Sequence, residues 1–121
     1  MRTIYYTVIT GIGPMAEQFL DEKMMILFKD NAPEDLAEYC FLHQVNELSE
    51  SIQAGDVLKL DDVEYLVTAV GDAVNQNLAS LGHITLKFTG SEEADLPGNL
   101  VLEDREIAEV KIGTIIEVIR R

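Results

Sequence analysis

The chain offers two imidazoles, His43 and His83, and a single thiol, Cys40. His43 and Cys40 share the run from Pro33 to Leu48, which reads Pro-Glu-Asp-Leu-Ala-Glu-Tyr-Cys-Phe-Leu-His-Gln-Val-Asn-Glu-Leu. If Tyr39 to Val45 is extended, side chains alternate between faces: His43 joins Tyr39, Phe41 and Val45, while Cys40 and Leu42 look the other way. Thiol and imidazole are therefore poor partners in one site. His43 ends an apolar run where the sequence turns polar at Gln44, Asn46 and Glu47, a place for an imidazole to meet solvent or a partner. The local pattern alone favours a plainer reading, a strand histidine with a satisfied hydrogen bond. With an unperturbed pKa of about 6.5, an imidazole is largely unprotonated near neutrality, so it can act as a nucleophile without a metal or cofactor.

His83 directly follows Gly82. A histidine after a glycine-stopped helix can bond the free carbonyls of the last turn, which gives His83 a structural reading beside a role in a site. Gly11-Ile12-Gly13-Pro14 lacks both the glycine fingerprint and the lysine of a phosphate-cradling loop and reads as a turn. Two histidines without close ligand spacing are a weak metal signal. Glu38 and Glu47 flank the His43 segment and read as solvated carboxylates.

The elements that must position these groups are short. Thr3 to Thr10 reads as a strand, with Ile4, Tyr6 and Val8 on one face and Thr3, Tyr5, Thr7 and Ile9 on the other. Met15 to Glu22 makes a short helix or loop, and Met24 to Phe28 a buried strand. Lys29 to Leu36 is a turn or a single helical turn leading into the His43 strand. Val57–Leu60 and Val63–Val70 form a hairpin across Asp61-Asp62. From Asp72 to Leu81, Val74, Leu78 and Leu81 recur at helical spacing, with Asp72 as N-cap and Gly82 as stop. His83 to Thr89 alternates as a strand. Ser91 to Asn99 is an acidic loop, and Leu100–Leu102 and Thr114–Ile119 are closing strands. Such a chain predicts an all-β, mainly antiparallel fold, a small closed β-barrel with one or two short helices, in a single domain over residues 1–121.

At 121 residues, with 47% hydrophobic and 26% charged residues, a real core is accessible without disulfides. Twenty-two acidic against nine basic residues give a net charge of −13, which demotes nucleic acid and anionic membrane as partners. The lone cysteine fits a reducing compartment, and neither a cleavable leader nor a spanning segment is evident, so a soluble cytoplasmic protein is expected.

Two stretches, Ala32-Pro33-Glu34-Asp35-Leu36-Ala37-Glu38-Tyr39-Cys40-Phe41-Leu42-His43 and Thr68-Ala69-Val70-Gly71 through Asn77-Leu78 to Leu81-Gly82-His83, resemble the glucitol/sorbitol-specific enzyme IIA component of the phosphoenolpyruvate-dependent sugar phosphotransferase system. The resemblance is densest over 32–46 and 68–90 and thins after Gly98. It implies a small cytoplasmic β-barrel that takes a phosphoryl group from the phosphocarrier HPr onto one histidine and passes it to the IIB component, part of a membrane-associated IIB/IIC assembly, with no cofactor or metal. The family's histidine lies in a Tyr-Cys-Phe-aliphatic-His motif, which here ends at His43. His83 matches the second motif and is expected at most to support. Such a site must be reachable by two proteins and needs donors for the phosphoryl oxygens. Backbone N–H groups near His43, the His83 imidazole, and the Thr68 and Thr85 hydroxyls are the candidates, with His83 foremost. The competing reading is a non-enzymatic barrel that binds a metal or small ligand through His43, His83 and nearby carboxylates. The sugar, the phosphorylated ring nitrogen and the oligomeric state are not readable from the residues.

Overall fold

A computed structural model describes residues 1–121. In chain order it contains β1 (Arg2–Ile12), a 3-10 segment (Ala16–Glu22), β2 (Met24–Lys29), α1 (Glu34–Ala37), β3 (Phe41–His43) and β4 (Glu47–Leu48). There follow β5 (Val57–Leu60), β6 (Val63–Val70), α2 (Val74–Leu81), β7 (Ile84–Lys87), β8 (Asn99–Leu102) and β9 (Ile115–Arg120). Eight strands run β3-β2-β7-β8-β6-β5-β9-β1, and β1 pairs back onto β3 to close a barrel. The short β4, which the sequence does not announce, lies on β1 at Tyr5 and Tyr6. Closure removes the free sheet edges that a β-rich chain of this size would otherwise present.

Most neighbours are antiparallel, as the alternating patterns predict. The pairs β2–β3 and β7–β8 are parallel, so the barrel is mixed. Parallel neighbours need a connection that crosses the barrel end. Asp30 to Cys40, which carries α1, supplies the first, and the acidic loop after Phe88 supplies the second. At the first crossover the end of β1 passes very close to α1: a Cβ on Gly13 would fall 2.2 Å from the Ala37 carbonyl oxygen. Only glycine fits there.

The interior is filled by side chains. Tyr5, Tyr65, Phe41 and Phe88 are the largest fully buried groups, packed among Ile, Leu, Val and Met from every strand of the ring except β3, which contributes Phe41 itself. Tyr65 meets Phe88 edge-on at 5.1 Å between centroids. Its hydroxyl donates to the Glu106 carbonyl and accepts from the Ala108 N–H, each at 2.8 Å, which ties the connection before β9 to the core. In β1 a register shift between Thr3 and Tyr5 turns both Ile4 and Tyr5 inward, where simple alternation would place them on opposite faces. Tyr5, Thr7 and Ile9 then line the interior.

The β5–β6 hairpin turns at Asp61, whose backbone is left-handed (φ 52°) and whose carboxylate accepts the Ile115 N–H at 2.9 Å. Helix α2 buries Val74 and Leu78 and ends at Gly82 in the left-handed conformation (φ 63°), as the glycine stop predicts. Asp72 is not its N-cap. Ala73 occupies that position without a side-chain bond, because the Ala73 and Val74 N–H groups are already taken by the Pro97 and Gly71 carbonyls.

Candidate functional site

β3 inserts between β1 and β2, with His43 opposite Ile9 on one side and Lys29 on the other. Cross-strand partners share a face, so Ile9, His43 and Lys29 project to the same side of the sheet. Along β2 that side carries Met25 and Leu27, both fully buried, and then Lys29 where the strand leaves the barrel. His43 therefore sits at one mouth of the barrel. Beside its pairing with His43, β1 shifts register between Ile9 and Gly11.

The expected exposure of His43 is not found: its side chain is 0% exposed. The reason is the end of α2, which folds over the mouth. The Gly82 carbonyl lies 2.7 Å from His43 Nε2. On the other edge of the ring, Thr7 Oγ1 lies 2.8 Å from Nδ1. The plainer reading of the local pattern, a strand histidine with satisfied hydrogen bonds, describes this resting geometry.

These partners set the proton positions. A carbonyl only accepts, so Nε2 carries the hydrogen and donates it to Gly82. Burial, opposed by the Gly82 bond and the nearby Asp30 charge and reinforced by Lys29, lowers the His43 pKa, so the ring is neutral at pH 7. Nδ1 is then bare and accepts the Thr7 hydroxyl proton. Thr7 Oγ1 in turn accepts the Asn46 N–H at 3.0 Å. Asn46, at a left-handed φ of 46°, accepts from the Tyr5 hydroxyl at 2.8 Å and donates to the Leu78 carbonyl at 2.9 Å, joining β1, the β3–β4 turn and α2.

Above Nε2 the cover is the Gly82 turn at the end of α2. A Cβ built on Gly82 would lie 3.1 Å from Nε2, 2.9 Å from Cε1 and 2.3 Å from Lys29 Cγ. Gly82 is thus sandwiched between the imidazole and the methylene stem of Lys29. The Lys29 ammonium makes no ion pair; the five ion pairs of the protein use Arg2, Lys23, Arg120 and Arg121. Val45 and Leu81, neighbours in sequence of His43 and Gly82, are exposed apolar side chains.

His83 is next to Gly82 but does not join the ring of contacts around His43. It leaves the α2 carbonyls alone, contrary to the helix-end reading, and donates from Nδ1 to the Leu27 carbonyl at 3.1 Å while stacking on Phe28 at 4.5 Å. Thr68 is engaged elsewhere, donating to the Ser91 and Val101 carbonyls. Glu38 and Glu47 make no bond to the imidazole, and the carboxylate felt by His43 is Asp30. Cys40 is buried beneath α1 with its thiol on the Leu36 carbonyl at 3.2 Å, apart from His43 as the alternation indicates. Nor does any group of three or more His, Cys, Asp or Glu side chains converge, and both nitrogens of His43 are already engaged, so the metal reading lacks a donor set.

Sequence reasoning missed Thr7, Lys29 and Gly82 as neighbours of His43. The β1 alternation does place Thr7 beside Tyr5 on one face, but its meeting with His43 depends on a pairing 36 residues apart.

Comparison with known proteins agrees with this barrel. A family model described as the phosphotransferase system glucitol/sorbitol-specific IIA component matches residues 4–117. Proteins named as the glucitol/sorbitol-specific EIIA component of that system in Shigella flexneri and in Escherichia coli (strain K12) are each 45% identical over 100 residues, 83% of this chain and 81% of theirs. The crystal structure of a phosphotransferase-system IIA component from Enterococcus faecalis V583 superposes with a TM-score of 0.81 at 30% identity, covering 92% of this chain and 96% of that one. With the match running almost from end to end and the barrel in common, this chain belongs to the glucitol/sorbitol-specific IIA component family of the sugar phosphotransferase system.

Proposed function

We propose that the protein is a cytoplasmic, single-domain phosphocarrier in which His43 accepts a phosphoryl group from the phosphohistidine of HPr and delivers it to the IIB component during glucitol or sorbitol uptake. The observation that carries this reading is the setting of His43: a neutral imidazole at a barrel mouth, oriented from both edges, beside an unpaired lysine. Nε2 is the acceptor in this reading, since it faces the Gly82 turn at the barrel mouth whereas Nδ1 faces Thr7 on β1. Attack requires the Leu81–His83 turn to swing aside. A docked partner that binds the open form more tightly would shift the protein toward it.

In the transfer, once the His43 proton has moved from Nε2 to Nδ1, the freed Nε2 lone pair forms the new N–P bond as the donor's P–N bond breaks, and the released pair stays with the donor ring. The protein contributes position and charge, which is the main demand of phosphoryl transfer. Lys29 offers a cation to the phosphoryl oxygens in a chain of net charge −13. His83 has no assigned part in the step.

The test is to incubate the protein with phosphoenolpyruvate, enzyme I and HPr and to follow intact mass, comparing His43→Gln and His83→Gln. One acid-labile, base-stable phosphoryl group, lost in His43→Gln alone and absent without HPr, is expected. No label on the wild-type protein, with donors active on another acceptor, overturns the reading.

A further inference from the structure

We infer that Thr7 is a positioning residue whose hydroxyl serves either tautomer of His43, so that Nε2 can hold a proton at rest and offer a lone pair to phosphorus when the site opens. The inference rests on the phosphocarrier reading for its function, but its structural half stands on geometry alone.

At rest, Nε2–H points at the Gly82 carbonyl and the Thr7 hydroxyl donates to Nδ1, at 2.7 Å and 2.8 Å. In that form Nε2 has no lone pair for phosphorus. The productive tautomer carries its proton on Nδ1, and a buried N–H there needs an acceptor. Thr7 can become that acceptor because its hydrogen is free to rotate. A second acceptor is close by: the Tyr5 hydroxyl, near enough to feel the Thr7 side chain, donates its own hydrogen to Asn46 Oδ1 at 2.8 Å and keeps lone pairs with which to accept. Thr7 Oγ1 would then accept from Nδ1–H and from the Asn46 N–H and donate to Tyr5. Both lone pairs and the single hydrogen are used, and no buried group is left unpartnered in either state.

The exchange of tautomers is balanced through water when the Gly82 turn lifts. One proton leaves Nε2 and one is gained at Nδ1, with no net change. During transfer the Nδ1 proton stays where it is: a neutral acceptor ring becomes a phosphorylated imidazolium, its Nδ1–H still held by Thr7, and the donor ring returns to the neutral form.

The experiment compares wild type, Thr7→Val, Thr7→Ser and Thr7→Cys in the full chain, after circular dichroism shows which are folded. Histidine nitrogen chemical shifts in ¹⁵N-labelled protein read the tautomer, and single-turnover labelling from phospho-HPr reads the rate. Wild type should place the His43 proton on Nε2 at rest and on Nδ1 once phosphorylated. Thr7→Val, in which the Gly82 carbonyl still holds the Nε2 proton at rest, should shift the Nδ1 resonance and, by leaving Nδ1–H without an acceptor in the productive form, slow labelling about tenfold, the rate equivalent of one hydrogen bond. Thr7→Ser should restore both readouts, and Thr7→Cys, a weak donor of similar volume, should fall between and serves if the valine variant does not fold. An unchanged Nδ1 resonance together with an unchanged rate in the valine or cysteine variant overturns the inference. If the wild-type protein takes no label at all, the phosphocarrier reading fails instead, a result told apart by the resting tautomer shift, which needs no donor.

Discussion

The Gly82 carbonyl closes over His43 Nε2 at 2.7 Å, and the space above Gly82 is filled by the Lys29 stem. Gly82 meets two demands there that a larger residue cannot. Its φ of 63° is left-handed, and a Cβ would stand 2.3 Å from Lys29 Cγ and 2.9 Å from the imidazole.

Gly82→Ala is therefore expected to destabilise the fold by about 1–2 kcal/mol from backbone conformation alone, with a further cost for the displaced neighbours. Urea unfolding measures it. Because the same change wedges Lys29 away from the mouth, the folded fraction should also label at a rate different from wild type. An alanine variant as stable as wild type would show that the α2 end is not held in this conformation.

The buried imidazole couples stability to pH. Its folded pKa is lowered, first by desolvation, so below the unfolded value of 6.5 the unfolded chain binds a proton that the native one does not. Stability should fall as pH drops below about 6.5, at up to roughly 1.4 kcal/mol per pH unit, until the folded group also protonates. Urea titrations between pH 7.5 and 5 should show this slope in wild type and not in His43→Gln. The Asp56 carboxylate contributes in a lower window. Burial works to raise its pKa, but the Arg120 fork, at 2.9 Å from both oxygens, and the Gln53 N–H outweigh it, so its stabilisation is lost only as pH falls from 3.8 downward.

That fork also ranks two arginines. Arg120 neutralises a carboxylate that is 4% exposed, whereas Arg121 meets Glu64 on the surface. Arg120→Met leaves Asp56 buried without its partner and should lower the unfolding midpoint clearly, while Arg121→Met should hardly move it. Equal effects in thermal unfolding would rule out Arg120 as the tie between β9 and the loop before β5.

Cys40 should behave as an inert core thiol. Burial raises its pKa to about 11, and its Sγ lies on the Leu36 carbonyl. A disulfide reagent at pH 8 should leave the native protein unmodified and react fully in denaturant. Prompt reaction of native protein would mean that α1 opens readily.

The strands and the closed barrel were legible because alternation and turn residues are local signals, and Val57–Val70 shows them plainly. The depth of His43 was not. Alternation correctly groups it with Phe41, but what makes that face inaccessible is Gly82, 39 residues later in the chain. Thr7 and Lys29 reach the site through strand pairing, and the parallel β2–β3 contact has no short-range signature. His83 illustrates the converse: a suggestive motif position whose ring is committed to Leu27 and Phe28 on β2. The centre of the site came from resemblance, its neighbours only from the fold.

Lys29 permits the charge and the cover of the site to be separated. On the phosphocarrier reading its ammonium balances the phosphoryl oxygens, while its methylenes hold Gly82 down. Lys29→Met keeps most of the stem and removes the charge, and Lys29→Arg keeps the charge. Labelling from phospho-HPr should slow by about tenfold or more in the methionine variant, within the range known for loss of one charge-stabilising donor, and recover in the arginine variant. The resting imidazole supplies an independent readout. Lys29 acts to lower the His43 pKa and Asp30 to raise it, so Lys29→Met should shift that pKa upward and Asp30→Asn downward in histidine-resolved NMR titrations. A Lys29→Met protein that labels at the wild-type rate while its His43 pKa rises would place the charge near the ring yet leave it without a part in transfer.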